Sequence, residues 1–433
     1  MAKINKKVVS KITTHEGAKS PIINPELQLR RSVMACMLWE DNFYEDGQNI
    51  AERIKSLVHY NKAKTVSDMA IEAREKMKLR HVPLLLVREL ARHKDKSFTA
   101  STLERVIQRA DELTEFLAIY WKDGKETLSA QVKRGLAKAF NKFSAYDLAK
   151  YNRDEAVKLR DVLFLCHAKP KDDEQAQVWK KLVDGTLESP DTWEVELSAS
   201  KNKKASWSRL LKDKKLGALA LIRNIRNMTQ AGLDNSDINS AIRDMKVERV
   251  LPFRFITAAR HNVQFEPVLE ESMMKCLEGK DKYPGKTVLL IDVSGSMDSS
   301  ISDKSEVIRI DAACGISILA REIYKDVRVF TFSEKLAEIP ARRGFALRDA
   351  IKNSMPHGGT NLGGAINYIN QNVTYERLIV FTDEQSHDSV SAPKAKGYMV
   401  NVSTNKNGVG YGAWNHIDGF SEAILDYVHQ LEQ

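Results

Sequence analysis

Residues 288–300 read VLLIDVSGSMDSS. The apolar run 288–291 predicts a buried strand. Asp292 ends it, and Ser294 and Ser296 follow at alternate positions around the small Gly295. A carboxylate and two hydroxyls at a strand end make a hard, oxygen-rich donor set, which suits Mg²⁺, or Mn²⁺, and not zinc. Two further stretches supply the rest of such a site. HGGTNLGGA, residues 357–365, offers Thr360 in a glycine-rich loop ahead of a helix, and Asp383 closes a second apolar strand in LIVFTDEQ. Two carboxylates and three hydroxyls leave at least one position of an octahedral ion for water, or for a partner's carboxylate or phosphate. The cluster could equally be a strand end satisfied by water and by its own hydrogen bonds. No nucleophile–base pair accompanies it. His357 and His387 read as loop residues, and the DxS opening lacks the paired aspartates of a phosphotransfer site. This is chemistry for holding, not for turnover, so the chain is expected not to be an enzyme.

The elements that must position these residues are strands alternating with helices. After the turn-rich DKYPGK at 281–286 come strands near 287–292, 327–332, 335–339, 376–383 and 398–402. Helices near 304–322, 346–353, 362–372 and 420–431 fall between and after them. That order predicts an open α/β sheet, with the oxygen cluster at the carboxyl ends of its strands, where such sheets bind ligands. Residues 1–280 read differently. Apolar positions at helical spacing recur in 27–41, 49–60, 82–93, 99–120, 154–165, 216–228, 238–245 and 253–261, with a polar, irregular stretch at 184–204. Many short helices without strands predict a helical-repeat solenoid of the HEAT type. The chain therefore divides into a helical part, 1–280, and an α/β part, 281–433.

Charge follows the same division. Residues 1–280 carry 51 Lys plus Arg against 39 Asp plus Glu, a net of +12, and residues 281–433 carry 16 against 19, a net of −3. A basic helical part beside a mildly acidic α/β part points to a polyanion as partner of the first. Four separated cysteines in apolar contexts, Cys36, Cys166, Cys276 and Cys314, read as buried thiols of a reducing compartment. No stretch reads as a membrane span and the first residues lack an apolar signal core, so a cytoplasmic protein without membrane contact is expected.

The three oxygen-bearing stretches, in this order on an α/β pattern, resemble the metal-ion-dependent adhesion site of von Willebrand factor type A domains. Asp292, Ser294, Ser296, Thr360 and Asp383 each fall on a ligand position of that family. The helical part resembles the TROVE module in LRRSVMACMLWEDNFYEDG (29–47), LRHVPLLLVRELARHK (79–94), AKYNRDEAVKLRDVLFLCHAKP (149–170), TWEVELS (192–198), LGALALIRNIRNMTQAGL (216–233) and VLPFRFITAARH (250–261). With the A domain behind it, the order is similar to that of the Ro 60-kDa autoantigen family in its bacterial form. The resemblance implies a ring of helical repeats whose two ends the A domain joins. It implies small structured Y RNAs on the outer surface, and 3′ ends of misfolded RNAs threaded into the ring. It also implies an association with an exoribonuclease in RNA quality control, and no catalysis by the protein itself.

The resemblance also nominates contact residues. Lys150 and His167 match the family's Y-RNA contacts; Arg153 and Lys169 stand beside them, while Asp154 is acidic where the family pattern prefers a base. A second basic set includes Arg80, Arg88 and Arg92. Arg88 and Arg92, four residues apart, share a helix face that could track RNA or pair with neighbouring helices. Lys133, Arg134 and Lys138 form a third set, and Arg223, Arg226 and Arg260 a fourth. Aromatic residues make up only 7% of the chain, and Trp39, Phe43, Trp193 and Trp207 read as packing residues, so backbone-dominated binding is expected. The alternative is a protein-interaction scaffold in which the A-domain metal captures an acidic residue of a partner protein. A ring closed within one chain needs no second subunit, so a monomer is expected.

Overall fold

A computed structural model describes residues 24–34, 47–77, 79–188, 190–247, 250, 252–275, 282–301, 306–403, 413–419 and 423–432. Cys36, Cys276, Trp39, Phe43 and the expected division at 280/281 lie outside the described residues. The helical part comprises α1 (Pro25–Met34), α2 (Gly47–Tyr60), α3 (Ala63–Glu75), α4 (His81–Arg92), α5 (Thr99–Val106), α6 (Asp111–Tyr120), α7 (Ala130–Phe140), α8 (Ala145–Tyr151) and α9 (Leu159–Cys166). It continues through α10 (Asp173–Asp184), α11 (Trp193–Ala199), α12 (Lys203–Lys212), α13 (Ala218–Arg223), α14 (Ile225–Gln230), α15 (Asn235–Asp244), α16 (Pro252–His261) and α17 (Glu266–Met274). The α/β part follows as β1 (Tyr283–Asp292), α18 (Arg309–Ile323), β2 (Tyr324–Phe332), β3 (Leu336–Ile339), α19 (Gly344–Lys352) and α20 (Leu362–Asn372). β4 (Arg377–Thr382), β5 (Lys396–Asn401), β6 (Asn415–Asp418) and α21 (Ala423–Gln430) complete it.

Local chemistry explains where the boundaries depart from expectation. The single helix expected over 99–120 is two. The Glu112 carboxylate accepts from the backbone N–H groups of Gln108 (2.7 Å) and Arg109 (3.0 Å), satisfying donors that a new helix start leaves open. The helix expected from residue 154 begins at Leu159, where the Asp161 side chain accepts from Lys158 N at 2.9 Å. The stretch expected to be irregular at 184–204 contains α11, whose Thr192 side chain accepts from Val195 N at 3.3 Å. Strand β6 was not expected at all: four residues, NHID, show no apolar run.

The sheet order is β3-β2-β1-β4-β5-β6, with β3 antiparallel to β2 and the other neighbours parallel. Its strands alternate faces. Val288, Leu290, Val380 and Phe332 pack under α20 with Leu362, Ile366 and Ile369. Leu289, Ile291, Ile379 and Phe381 face the other way, onto α18, α19 and α21. That second face shares one continuous core with Trp207, Leu221, Ile225, Phe255 and Leu269 of the helical part, whereas the helices α1–α10 build a core of their own. The last helices of the array are thus packed as part of the α/β unit.

Both ends of the helical array meet the sheet domain. At the carboxyl end, Arg260 of α16 pairs with buried Asp311 of α18, Arg348 of α19 with Glu266 (3.2 Å), and Phe345 N donates to Glu270 (2.9 Å). At the amino end α1 packs on β6. There Arg31 pairs with Glu384, which also meets His416 Nδ1 at 2.9 Å. Arg31 and Glu384 are both buried. Removing one partner of such a pair typically costs about 3–5 kcal/mol. Arg31→Met is therefore expected to lower the urea midpoint and to speed amide exchange in α1 ahead of the α/β core. Unchanged exchange in α1 would show that the pair does not fasten it.

Candidate functional site

Three hydrogen bonds tie the three oxygen-bearing stretches into one site. From the first stretch, Gly295 N donates to Gly358 O of the glycine loop at 2.9 Å. From β4, Thr382 Oγ1 donates to Asp292 Oδ2 at 2.6 Å. Beyond β4, Ser386 Oγ donates to Thr360 O at 3.0 Å. Ser294 N donates to Asp292 Oδ1 at 2.8 Å, and the hydroxyls of Ser294 and Ser296 lie 3.3 Å apart. The cluster stands at the carboxyl ends of β1 and β4, where the strand order reverses, the usual place for a ligand in such sheets. The glycine loop is held from below by Ser333, whose hydroxyl donates to Gly359 O (3.0 Å) and accepts from Gly358 N (2.9 Å). Gly363 has no room for a side chain: a Cβ would stand 2.2 Å from Ser389 O. The amino terminus of α20 is filled by Asp388, which accepts from Gly363 N (2.9 Å) and Gly364 N (2.8 Å). His357 is less of a free loop residue than expected. Its ring bridges Asp298 (2.6 Å) and Lys352 O (3.0 Å), pinning the glycine loop beside the first stretch.

Asp292, Asp383, Ser294 and Thr360 are buried, Ser296 is half-buried and Gly295 is exposed, so the site opens to solvent along one rim. Carboxylate and hydroxyl oxygens are the only side-chain donors of this set, which fits a hard divalent ion. Asp292 accepts from Ser294 N at Oδ1 and from Thr382 Oγ1 at Oδ2. Burial first, and then the neighbouring Asp383 carboxylate, push the Asp292 carboxyl up to about 7. Sequence reasoning missed one member of the site, Arg309. It is fully buried, and its Nη1 donates to Asp383 Oδ2 (3.0 Å) and to Ser296 O (3.3 Å). The only hint was a charge at the start of an otherwise apolar helix, RIDAACGISILA.

The sets of basic residues fare differently. Lys150 and His167 stand at the ends of α8 and α9, two helices packed on α10. His167 takes the left-handed conformation (φ 53°) that ends α9 and is exposed, as are Arg153 and Lys169. Lys150 Nζ lies 5.9 Å from the Tyr146 ring and 5.6 Å from the Tyr151 ring, and Arg109 stacks over Tyr151 at 4.9 Å. Tyr146 is 52% and Phe164 59% exposed. These two aromatics were overlooked because helical spacing alone does not separate a core ring from a surface one. Arg134 and Lys138 are exposed and Lys133 half-buried; Lys138 reaches Glu104 at 3.2 Å.

Arg88 requires correction as an RNA contact: it is fully buried, bonded to Glu89 (3.0 Å) and paired with Asp123. Arg80 is committed to Asp111 and Glu115, and Arg92 to Glu126, leaving each less than one third exposed. These arginines serve as bridges between neighbouring helices. Arg260 leaves the fourth set for the same reason, while Arg223 and Arg226 stay exposed. Trp207 is buried with Trp193 stacked on it at 6.3 Å, as packing residues should be.

Comparison with known proteins bears on this architecture directly. The TROVE domain family model matches residues 185–275, and the Ro60 vWA domain model matches residues 286–396, a span that holds all five oxygen-bearing residues. The RNA-binding protein RO60 of Caenorhabditis elegans is 25% identical over 214 residues, 44% of this chain. In the content and order of these two domains the chain is similar to the Ro60 family. The match spans only 33% of the length of that Ro60 relative. Telomerase protein component 1 of Mus musculus is 33% identical over 78 residues, 17% of this chain and 3% of that protein. The crystal structure of the Deinococcus radiodurans Ro (RSR) protein superposes with a TM-score of 0.62 at 17% identity, covering 92% of this chain and 97% of that one. That likeness extends the Ro60 fold to the helices that precede residue 185.

The raised Asp292 carboxyl has a testable sign. The folded state keeps a proton that the unfolded state, with a carboxyl at its ordinary 3.8, has lost. In chelator, stability should therefore fall as pH rises from about 4 through 7. Asp292→Asn should flatten that slope and be the more stable chain at pH 8 in urea titrations. Parallel slopes for both chains would show that Asp292 is not the titrating group.

Proposed function

We propose that this chain is a non-catalytic RNA-binding scaffold. In this reading Y-like small noncoding RNA lies on the face of α8 and α9, and 3′ ends of misfolded RNAs enter the ring that the sheet domain closes, for RNA quality control in the cytoplasm. The observation that carries it is the α8–α9 face. There Lys150 lies beside the exposed Tyr146 ring, and Arg153, His167, Lys169 and the Phe164 ring are exposed on and just beyond the two helices. Cations neutralise phosphates and exposed rings stack on unpaired bases, the two contacts that structured RNA with single-stranded segments requires. Similarity to the Ro60 family and the net charge of +12 over residues 1–280 support the same reading. The arginines of α4 being tied to carboxylates directs the RNA to α8–α9 and α7, away from α4. No helix among the described residues is long and apolar enough to cross a membrane. Closure of the array on its own sheet domain supports a monomer, to which an exoribonuclease would come as a separate partner.

A second reading concerns the sheet domain. Its oxygen cluster, open along the Gly295 rim, would hold Mg²⁺, or Mn²⁺, through Asp292, Ser294, Ser296, Thr360 and Asp383. Such an ion would supply a fixed positive charge for a partner protein's carboxylate. Asp292 and Asp383 would carry the charge that retains the ion, and Gly295 leaves the approach clear. The two readings concern separate surfaces and can hold together.

Electrostatic binding makes the first reading measurable. The dependence of log K on log salt, read by filter binding with a structured RNA, should lose about one unit of slope for each phosphate-contacting cation removed. The Lys150→Ala/His167→Ala double variant should therefore bind more weakly and with a slope lower by about 1–2, whereas Arg223→Ala should leave α8–α9 binding intact. An unchanged slope in the double variant would remove α8–α9 as the RNA surface.

A further inference from the structure

Arg309 stands against the oxygen cluster although it offers no oxygen to an ion. Its guanidinium is fully buried at the first turn of α18 and donates to Asp383 Oδ2 at 3.0 Å and to Ser296 O at 3.3 Å. It therefore touches two of the five residues that would hold the ion, one of them through a charge that the ion itself needs. Asp383 and Asp292 are both buried, at the ends of neighbouring strands. A carboxylate as deeply buried as Asp383 is costly to keep charged without a cation. An arginine is always charged and brings a rigid fork of donors, so it meets that requirement permanently.

We infer that Arg309 is a resident cation that shares Asp383 with the divalent ion. It holds the site folded when no metal is bound, and it weakens metal binding by facing the ion with a like charge across the same carboxylate. This rests on the metal reading of the sheet domain given above. A divalent ion and a guanidinium on one carboxylate repel each other, and in a buried site a unit charge a few ångströms away changes an equilibrium by one to several powers of ten. The site is thus tuned to release its metal readily. Arg260 and Lys352 do not substitute for Arg309, since both are drawn to Asp311 on the other side of α18.

The test is calorimetric titration of the full chain with Mn²⁺, comparing wild type, Arg309→Gln and Arg309→Lys, with folding checked by circular dichroism. Arg309→Gln should bind Mn²⁺ at least about tenfold more tightly than wild type, and Arg309→Lys, which keeps the charge, should bind like wild type. Mn²⁺ binding by wild type that is unchanged or weaker in Arg309→Gln overturns the inference and leaves the metal reading standing. Binding by none of the folded chains overturns both. Should Arg309→Gln not fold, the wild type decides alone. Under diamagnetic Mg²⁺ the ¹⁵N signal of the Arg309 side chain, assigned through Arg309→Lys, should shift as the ion draws on the carboxylate that the guanidinium holds; a signal unmoved at saturating Mg²⁺ overturns the inference.

Discussion

Asp383 and Glu384 are consecutive, fully buried carboxylates at the end of β4, and burying two adjacent charges is tolerable only if each finds a cation of its own. They find them in opposite directions. Asp383 faces Arg309 from α18, within the oxygen cluster. Glu384 faces Arg31 from α1, at the far end of the sequence, and His416 from β6. Glu384 takes a left-handed backbone conformation (φ 58°) to do so, a strain that persists only where the surroundings over-determine it. One dipeptide thereby joins the oxygen-bearing loops to the closure of the helical array, and the carboxyl terminus of β4 is the point about which both are arranged.

The helical part is stiffened by the same kind of chemistry. Arg74 reaches Glu112, Arg80 reaches Asp111, and Arg105 reaches Glu75, each pair joining residues 30 or more apart in sequence. These pairs account for much of the basic character of α3–α6. Arg134, Lys138, Arg153 and Lys169, on and around α7–α9, are exposed, and Lys150 lies over tyrosine rings. The charge surplus of the helical part is thus unevenly available: consumed internally over one stretch and presented to solvent over the next. A polyanion would meet the second stretch.

The α/β architecture and all three pieces of the oxygen cluster were legible in the sequence, because apolar strands broken by Asp292 and Asp383 are local signals. Helical periodicity was legible too, though it ran α5 and α6 together, because the side chain that separates them, Glu112, looks like any other helical glutamate. What the sequence withheld was partnership at long range. Arg88 looks like a surface cation on a basic face, and only the packing of α4 brings Asp123 to it. Arg309 looks like a helix-start charge, and only the return of β4, 74 residues later, puts Asp383 within reach. Composition fixed how many cations there are; tertiary pairing decided which of them remain to bind anything.

The central claim, that the α8–α9 face is where RNA lies, is tested most directly by ultraviolet crosslinking of the chain in its native cells, followed by sequencing of the RNA and mapping of the crosslinked peptides. The account predicts crosslinks in peptides carrying Tyr146 and Phe164, to one or a few structured noncoding RNAs, lost when Lys150 and His167 are replaced by alanine. Crosslinks confined to the sheet domain, or no RNA above background, would contradict it.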